Sequence, residues 1–103
     1  MIVYKAMYKF VDVENQVHGM VLDFPGVITC GPDLNATRSL LASALADMAE
    51  TFLLSGKALP RPDPAVMNPE SDIEEPIYLL LTAANQVAIV PQPVVAVAQP
   101  VQP

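Results

Sequence analysis

The sequence predicts an α+β domain with the element order β-β-β-α-β, in which one helix lies across a single face of an antiparallel sheet. Three observations carry that expectation. Residues Ile2 to Val13 alternate with a period of two, turn signals punctuate the stretch that follows, and from Asp33 to Ser55 the apolar spacing becomes helical.

In the first segment Ile2, Tyr4, Ala6, Tyr8 and Phe10 share one face. Val3, Lys5, Met7, Lys9 and Val11 share the other. Aromatic and β-branched side chains suit a pleated, half-buried surface, so this is a strand. Its second face is mixed, which predicts partial cover on both sides. Glu14-Asn15-Gln16 is a polar break suited to a hairpin, and Val17 to Phe24 is the returning strand, with Gly19 expected at a bulge. Pro25-Gly26 signals a turn in which proline presets φ at the second position. Val27 to Cys30 is a short third strand.

Asp33 is placed to cap a helix, because its carboxylate can accept from a free N–H of the first turn. Leu34, Leu41, Leu45, Met48 and Phe52 recur at helical spacing, and Leu40, Ala44 and Leu53 widen the stripe. Arg38, Asp47 and Glu50 lie off its centre. Gly56 stands where a left-handed C-terminal cap belongs. Pro60, Pro62, Pro64 and Pro69 make the next segment an extended connector, since each proline fixes φ and removes a donor. Ser71 to Glu75 is acidic and expected to be exposed. Pro76 is expected to open a last strand, Ile77 to Ala83, which returns beside the first. These signals divide the chain into a domain over 1–83, with a connector at 59–76, and a Pro/Val-rich tail over 84–103. Two readings of that tail stand side by side: a disordered or polyproline-like segment, and an arm exchanged between subunits.

The chain has 103 residues, 52% of them hydrophobic, with five Lys and Arg against eleven Asp and Glu, for a formal net charge of −6. That is enough apolar material for one core. A net negative surface repels phosphate backbones and favours a basic protein partner. No run reaches the roughly 18 apolar residues of a membrane helix. One cysteine allows no internal disulfide, and Cys30 with His18 falls short of the about four ligands of a zinc site. The expectation is a cytoplasmic protein with no cofactor.

Chemistry-bearing residues are few. Asp12, Asp23, Asp47 and Glu50 would have to converge to hold the divalent metal of a nuclease, whereas the helix acids lie off the apolar stripe. His18 follows a hairpin with no nucleophile in any recognisable spacing, so a surface histidine is expected. Cys30 is expected to be a buried, inert thiol. Gly31-Pro32-Asp33 lacks the glycine spacing and lysine of a phosphate loop. Tyr4 and Tyr8 are candidates for interface aromatics or for core packing. No catalytic or metal-binding residue is assigned.

The order of these motifs resembles the HicB antitoxin family. Val21-Leu22-Asp23-Phe24-Pro25-Gly26 is similar to that family's strand closing in an Asp-x-Pro-Gly turn. Thr29-Cys30-Gly31 with Asp33-Leu34 resembles its Thr-x-Gly segment and capped helix start. Leu53-Leu54-Ser55-Gly56 with Leu59-Pro60-Arg61-Pro62 resembles its helix end and following Pro-x-Pro. The likeness covers Met1 to about Pro64 and weakly Ile73 to Thr82. It implies a partial ribonuclease-H-like fold and a non-enzymatic antitoxin that covers a small basic, messenger-RNA-cleaving toxin of the HicA type. The sequence departs from the pattern at Asn35-Ala36-Thr37-Arg38, where Glu and Ala are usual. The Pro/Val tail also stands where many members carry a DNA-binding domain, so no direct DNA binding is expected. Candidate partner contacts are Glu14, Asp23, Phe24, Pro25 and Gly26, with a homodimer or higher homo-oligomer expected. The alternatives are a solitary self-associating accessory protein and a metal-dependent nuclease.

Overall fold

A computed structural model describes residues 1–12 and 15–80. Glu14 and the tail over 84–103 therefore lie outside the described residues. The elements are β1 (Ile2–Val11), β2 (Gln16–Val21), β3 (Ile28–Gly31), α1 (Leu34–Leu54) and β4 (Ile73–Leu79). All strand pairs are antiparallel, in the order β3-β2-β1-β4. The α+β architecture and the return of the last strand beside the first are as the sequence predicts.

The alternation in β1 sorts its residues between two faces. Tyr4, Ala6 and Tyr8 are buried in a core shared with Val17, Val21, Phe24, Val27, Ile77 and Leu79. From above, α1 contributes Leu41, Leu45 and Ala49 to that core. Phe10 ends the inner row and is 44% exposed.

On the outer face Met7 is also buried. The lysines flanking it reach the connector: Lys5 Nζ donates to Val66 O at 2.7 Å and Lys9 Nζ to Glu70 O at 3.4 Å. The proline-rich segment thus passes across the second face, which supplies the cover that the mixed character of β1 predicts.

The helix is defined by its ends. Asp33 Oδ1 accepts from Ala36 N at 2.7 Å. At the other end Gly56, with φ +74°, donates to Leu53 O, and Lys57 N donates to Phe52 O at 2.8 Å. This is the paired Schellman closure that requires a left-handed residue. Between them the buried stripe is Thr37, Leu41, Leu45 and Ala49, with Leu34, Ala44, Met48 and Phe52 half covered. Leu40, expected within the stripe, is 45% exposed. Thr37 takes the place that leucine spacing alone would not assign to a polar residue.

Thr37 explains two glycines. Its hydroxyl lies 2.7 Å from Asp33 O and 3.1 Å from Val17 O. This bonds the first turn of the helix to β2. A Cβ on Gly31 would stand 2.8 Å from Thr37 Oγ1 and 3.2 Å from its backbone nitrogen. One on Gly19 would stand 3.0 Å from Thr37 Cγ2 and 3.1 Å from the Tyr8 ring. Gly19 therefore marks a close approach and not the expected bulge: it pairs in unbroken register with Tyr8 and Thr29.

Two further expectations are corrected. Pro76 does not open β4 but lies inside it, opposite Lys5, because β4 is an edge strand and an edge tolerates a missing donor. Cys30 is exposed, not buried, because the register aligns it with His18 on the face away from the helix.

Gly31→Ala should cost about 1–3 kcal/mol of stability, as overpacking a tight contact does. Gly19→Ala should cost less, since no backbone atom is among its nearest neighbours. Urea unfolding midpoints at constant slope would check both. A neutral Gly31→Ala would mean that the helix rides higher above the sheet than described.

Candidate functional site

The most individual feature is the way the turn after β2 and the connector are tied to the β1–β4 edge. Phe24, Pro25, Gly26 and Val27 form a tight turn closed by Val27 N donating to Phe24 O. Gly26 has φ +91°, which a type II turn requires at its third residue, with proline before it. Pro25 and Gly26 are exposed. Phe24 is not: its ring is 0% exposed and sits edge-on between Tyr4 at 5.3 Å and Phe52 at 5.2 Å. Its place in the motif is that of an anchor, holding the turn to β1 and to the end of the helix.

Asp23 has equally specific neighbours. One carboxylate oxygen accepts from Lys5 N at 2.9 Å, next to the backbone bond from Leu22 N to Lys5 O. The other accepts from Asp63 N at 3.0 Å. The carboxylate thus extends the β1–β2 ladder past its last pair and pins the connector to it. Tyr4 and Tyr8, left open between interface and core, are both 2% exposed. The Tyr4 hydroxyl donates to Pro60 O at 2.7 Å, which fixes the start of the connector. Burial, and secondarily the nearby Asp23 charge, raises the Tyr4 phenol above its ordinary value.

Between the connector and the strand edge lies an open cleft of about 520 Å³, lined by Val3, Lys5, Asp63, Pro62, Pro64 and Pro76 among others. Its acids are largely engaged in holding the connector. Glu74 Oε2 accepts from Asn68 N at 2.9 Å and from Ser71 Oγ at 2.8 Å. Those bonds, in that order, hold its carboxyl below the usual range, and Lys5 adds to the effect. Asp72 accepts from Phe10 N at 2.7 Å, and Asp63 from Ala65 N at 3.0 Å. Proline-rich loops cannot pair their remaining N–H groups in a ladder, so side-chain carboxylates satisfy them.

On the helix side Arg38 makes a two-pronged pair with Glu75, at 3.0 Å and 2.9 Å. Its guanidinium also lies 5.9 Å from the Tyr8 ring centre. Burial and the adjacent Glu75 push the Tyr8 phenol up to about 12, although Arg38 pulls the other way. Such a phenol stays protonated at neutral pH and is no nucleophile. The sequence missed this network because Arg38 and Glu75 are far apart in the chain and meet only through the β4 crossover.

The nuclease residues are not assembled. Asp12 follows β1 at the hairpin end, whereas Asp23 binds Lys5, toward the opposite end of the β1–β2 pair. Asp47 and Glu50 are exposed on the helix. Among the described residues no three His, Cys, Asp or Glu side chains are grouped to hold a metal ion. Likewise, among them no helix is long and apolar enough to cross a membrane. His18 is exposed on the outer face, in register with Lys9 and Cys30.

Two outcomes follow from these bonds. Asp23→Ala should cost about 1–3 kcal/mol, because it orphans two N–H donors. Amide exchange at Lys5 and Asp63 should quicken together, and protection retained at Asp63 would refute the clamp. For Glu74 the folded carboxyl titrates below its ordinary 4.5. Its stabilising contribution is therefore complete above that value and lost as pH falls through the lower, folded one. An NMR titration should show the Asn68 amide released in that acid window, and Glu74→Gln should abolish the transition.

No family model matches the sequence, and no match was found among curated proteins. Among solved structures, the chain is similar to the N-terminal domain of the antitoxin HicB from Burkholderia pseudomallei. The TM-score is 0.66 at 17% sequence identity, covering 78% of this chain and 100% of that one. The fold of this protein is that of a HicB antitoxin N-terminal domain.

Proposed function

We propose that this protein is an antitoxin-like binding protein that neutralises a small basic, HicA-type RNA-cleaving toxin by covering its RNA-binding surface. The observation that carries the reading is the fold, which spans the whole of the HicB N-terminal domain. The surplus of six negative charges supports it, since it favours a basic partner and speeds the encounter. The mechanism is occlusion, so no catalytic residue is assigned.

The hydrogen-bond inventory bears on where such a partner would dock. Asp23, Asp33, Asp72, Glu74 and Glu75 are engaged within the fold. Asp47 and Glu50 project from the exposed side of α1. The Pro25–Gly26 turn lies against that helix near Met48. We take the exposed turn, with Asp23 and Phe24 as its supports and Asp47 and Glu50 beside it, as the docking region. Glu14 is an additional acidic contact on the sequence reading alone. In the cell such a protein works in the cytoplasm, as a homodimer or larger homo-oligomer.

Co-expression with a small basic, HicA-type toxin should give a complex that survives affinity purification and suppresses RNA cleavage. Charge reversal, Asp47→Lys with Glu50→Lys, should slow association and flatten its salt dependence while leaving the fold intact. Failure of every such toxin tried to be retained would sink the toxin reading. The alternative, a self-associating accessory protein, draws on Ile28, 64% exposed on the open edge strand β3. Both readings expect self-association in light scattering of the full chain, so retention of the basic toxin is what separates the two.

A further inference from the structure

The two edges of the sheet differ in what they present to the outside. In an antiparallel ladder alternate residues turn their N–H and C=O groups to opposite sides, so hydrogen-bond phase decides which groups each edge offers. Leu22 N donates to Lys5 O on β1, and Val21 N donates to Val27 O toward β3. Carried through the register, Val27, Thr29 and Gly31 bond inward to β2, whereas Ile28 and Cys30 turn their backbone groups away from the sheet. By the same phase β1 uses Lys5, Met7 and Lys9 toward β2 and Tyr4, Ala6 and Tyr8 toward β4. The outward groups of β4 therefore belong to Glu74, Pro76 and Tyr78. Pro76 removes the middle donor of that edge and Glu74 sets a charge beside it, and proline and charge both discourage the addition of a strand.

β3 has neither guard. From Phe24 to Gly31 there is no charged residue, in a chain whose net charge is −6. Ile28 is 64% exposed, Cys30 is exposed, and Leu40 of α1, beside Gly31, is 45% exposed. Among the described residues no strand pairs with this edge, which lies across the sheet from β4 and Leu80.

The edge is complementary to itself. When Thr29 is set antiparallel and opposite Thr29 of a second copy, Ile28 of each copy falls opposite Cys30 of the other. These are the residues whose backbone groups point outward, so both pairs can exchange their N–H···O bonds, with the threonines in the closer, non-hydrogen-bonded position at the axis. The two β2 strands then lie three strand spacings apart, about 14 Å. Each α1 is seated on its own β2 through Thr37, so the helix starts clear the roughly 8–10 Å of direct helix packing. Two acidic molecules repel least where neither carries a charge. The contact is isologous and closes at two copies, leaving only guarded β4 edges outside.

We infer that β3 pairs with β3 of a second copy about a two-fold axis at Thr29, joining two four-stranded sheets into one. The inference rests on the homo-oligomer of the proposed function and does not use its toxin.

The full chain with Thr29→Cys and Cys30→Ser places one thiol at the axis, where opposed Cα atoms about 4.5 Å apart are within disulfide reach. In an oxidising glutathione buffer it should run as a linked dimer on a non-reducing gel. Ile28→Cys with Cys30→Ser aims its thiol at a serine and should link about tenfold more slowly. Unsubstituted protein should sediment as a dimer, and Ile28→Lys as a monomer with unchanged circular dichroism. Equal linking of the two thiol variants would mark chance encounters and overturn the inference, whether or not the lysine variant folds. Equal mass for the unsubstituted and Ile28→Lys proteins would overturn it as well. As dimers they would have their interface elsewhere, and as monomers they would leave the edge to a strand of another protein. No toxin is present in these measurements, so their failure and the failure of toxin retention are separate results.

Discussion

The seat of Thr37 on two glycines sets the geometry of this molecule. One buried hydroxyl joins the first turn of α1 to Val17 O of β2, while Gly31 and Gly19 present bare backbone at the points of closest approach. The rest of the helix follows from that seat. With its start pinned over β2 and β3, Leu41, Leu45 and Ala49 fall in line above Tyr4, Ala6 and Tyr8, and the Phe52 ring arrives against Phe24. A larger residue at either glycine would lift the helix and spoil contacts well away from the substitution, because close-packed interiors transmit strain.

The second organising device is the use of carboxylates as surrogate backbone. The connector between α1 and β4 contains four prolines in Leu59 to Pro69 and forms no regular ladder. The N–H groups of Asp63, Ala65 and Asn68 are met by Asp23, Asp63 and Glu74, and the carbonyls of Pro60, Val66 and Glu70 by Tyr4, Lys5 and Lys9. An acidic composition thus has two separate causes here. Some carboxylates are structural acceptors whose loss would loosen the connector. Others, such as Asp47 and Glu50, have no hydrogen-bond or ion-pair partner among the described residues and contribute to the external field. Net charge alone cannot tell these apart, and only the second kind is available to a basic partner.

The legibility of the fold in the sequence followed the range of the interactions. Alternation in β1, the Pro25-Gly26 turn, the Asp33 cap and the Gly56 closure are local, and each is visible as residue type at a fixed spacing. What stayed hidden depended on partners distant in the chain. Gly19 reads as a bulge until Thr37 is seen above it. Cys30 reads as core until the β2–β3 register turns it outward. The start of β4 was obscured because Ile73-Glu74-Glu75 looks like an acidic loop, yet Glu75 faces inward to meet Arg38. In the candidate site, the turn was legible as a turn, but the burial of Phe24 and the double duty of Asp23 were not. Both arise from the connector and helix end folding over it.

That difference matters for what the Asp-Phe-Pro-Gly segment can do. A recognition loop works best when its exposed atoms are held by groups that are themselves fully satisfied. Here Phe24 is locked between two rings, Asp23 spends both oxygens on backbone N–H groups, and Gly26 takes the one backbone conformation the turn needs. Only Pro25 and Gly26 are left at the surface, on a support with little freedom to lose. A partner docking there would gain contact without ordering a loop. The segment's sequence is therefore explained by rigidity first: what it leaves at the surface is a small knob with few conformations to lose.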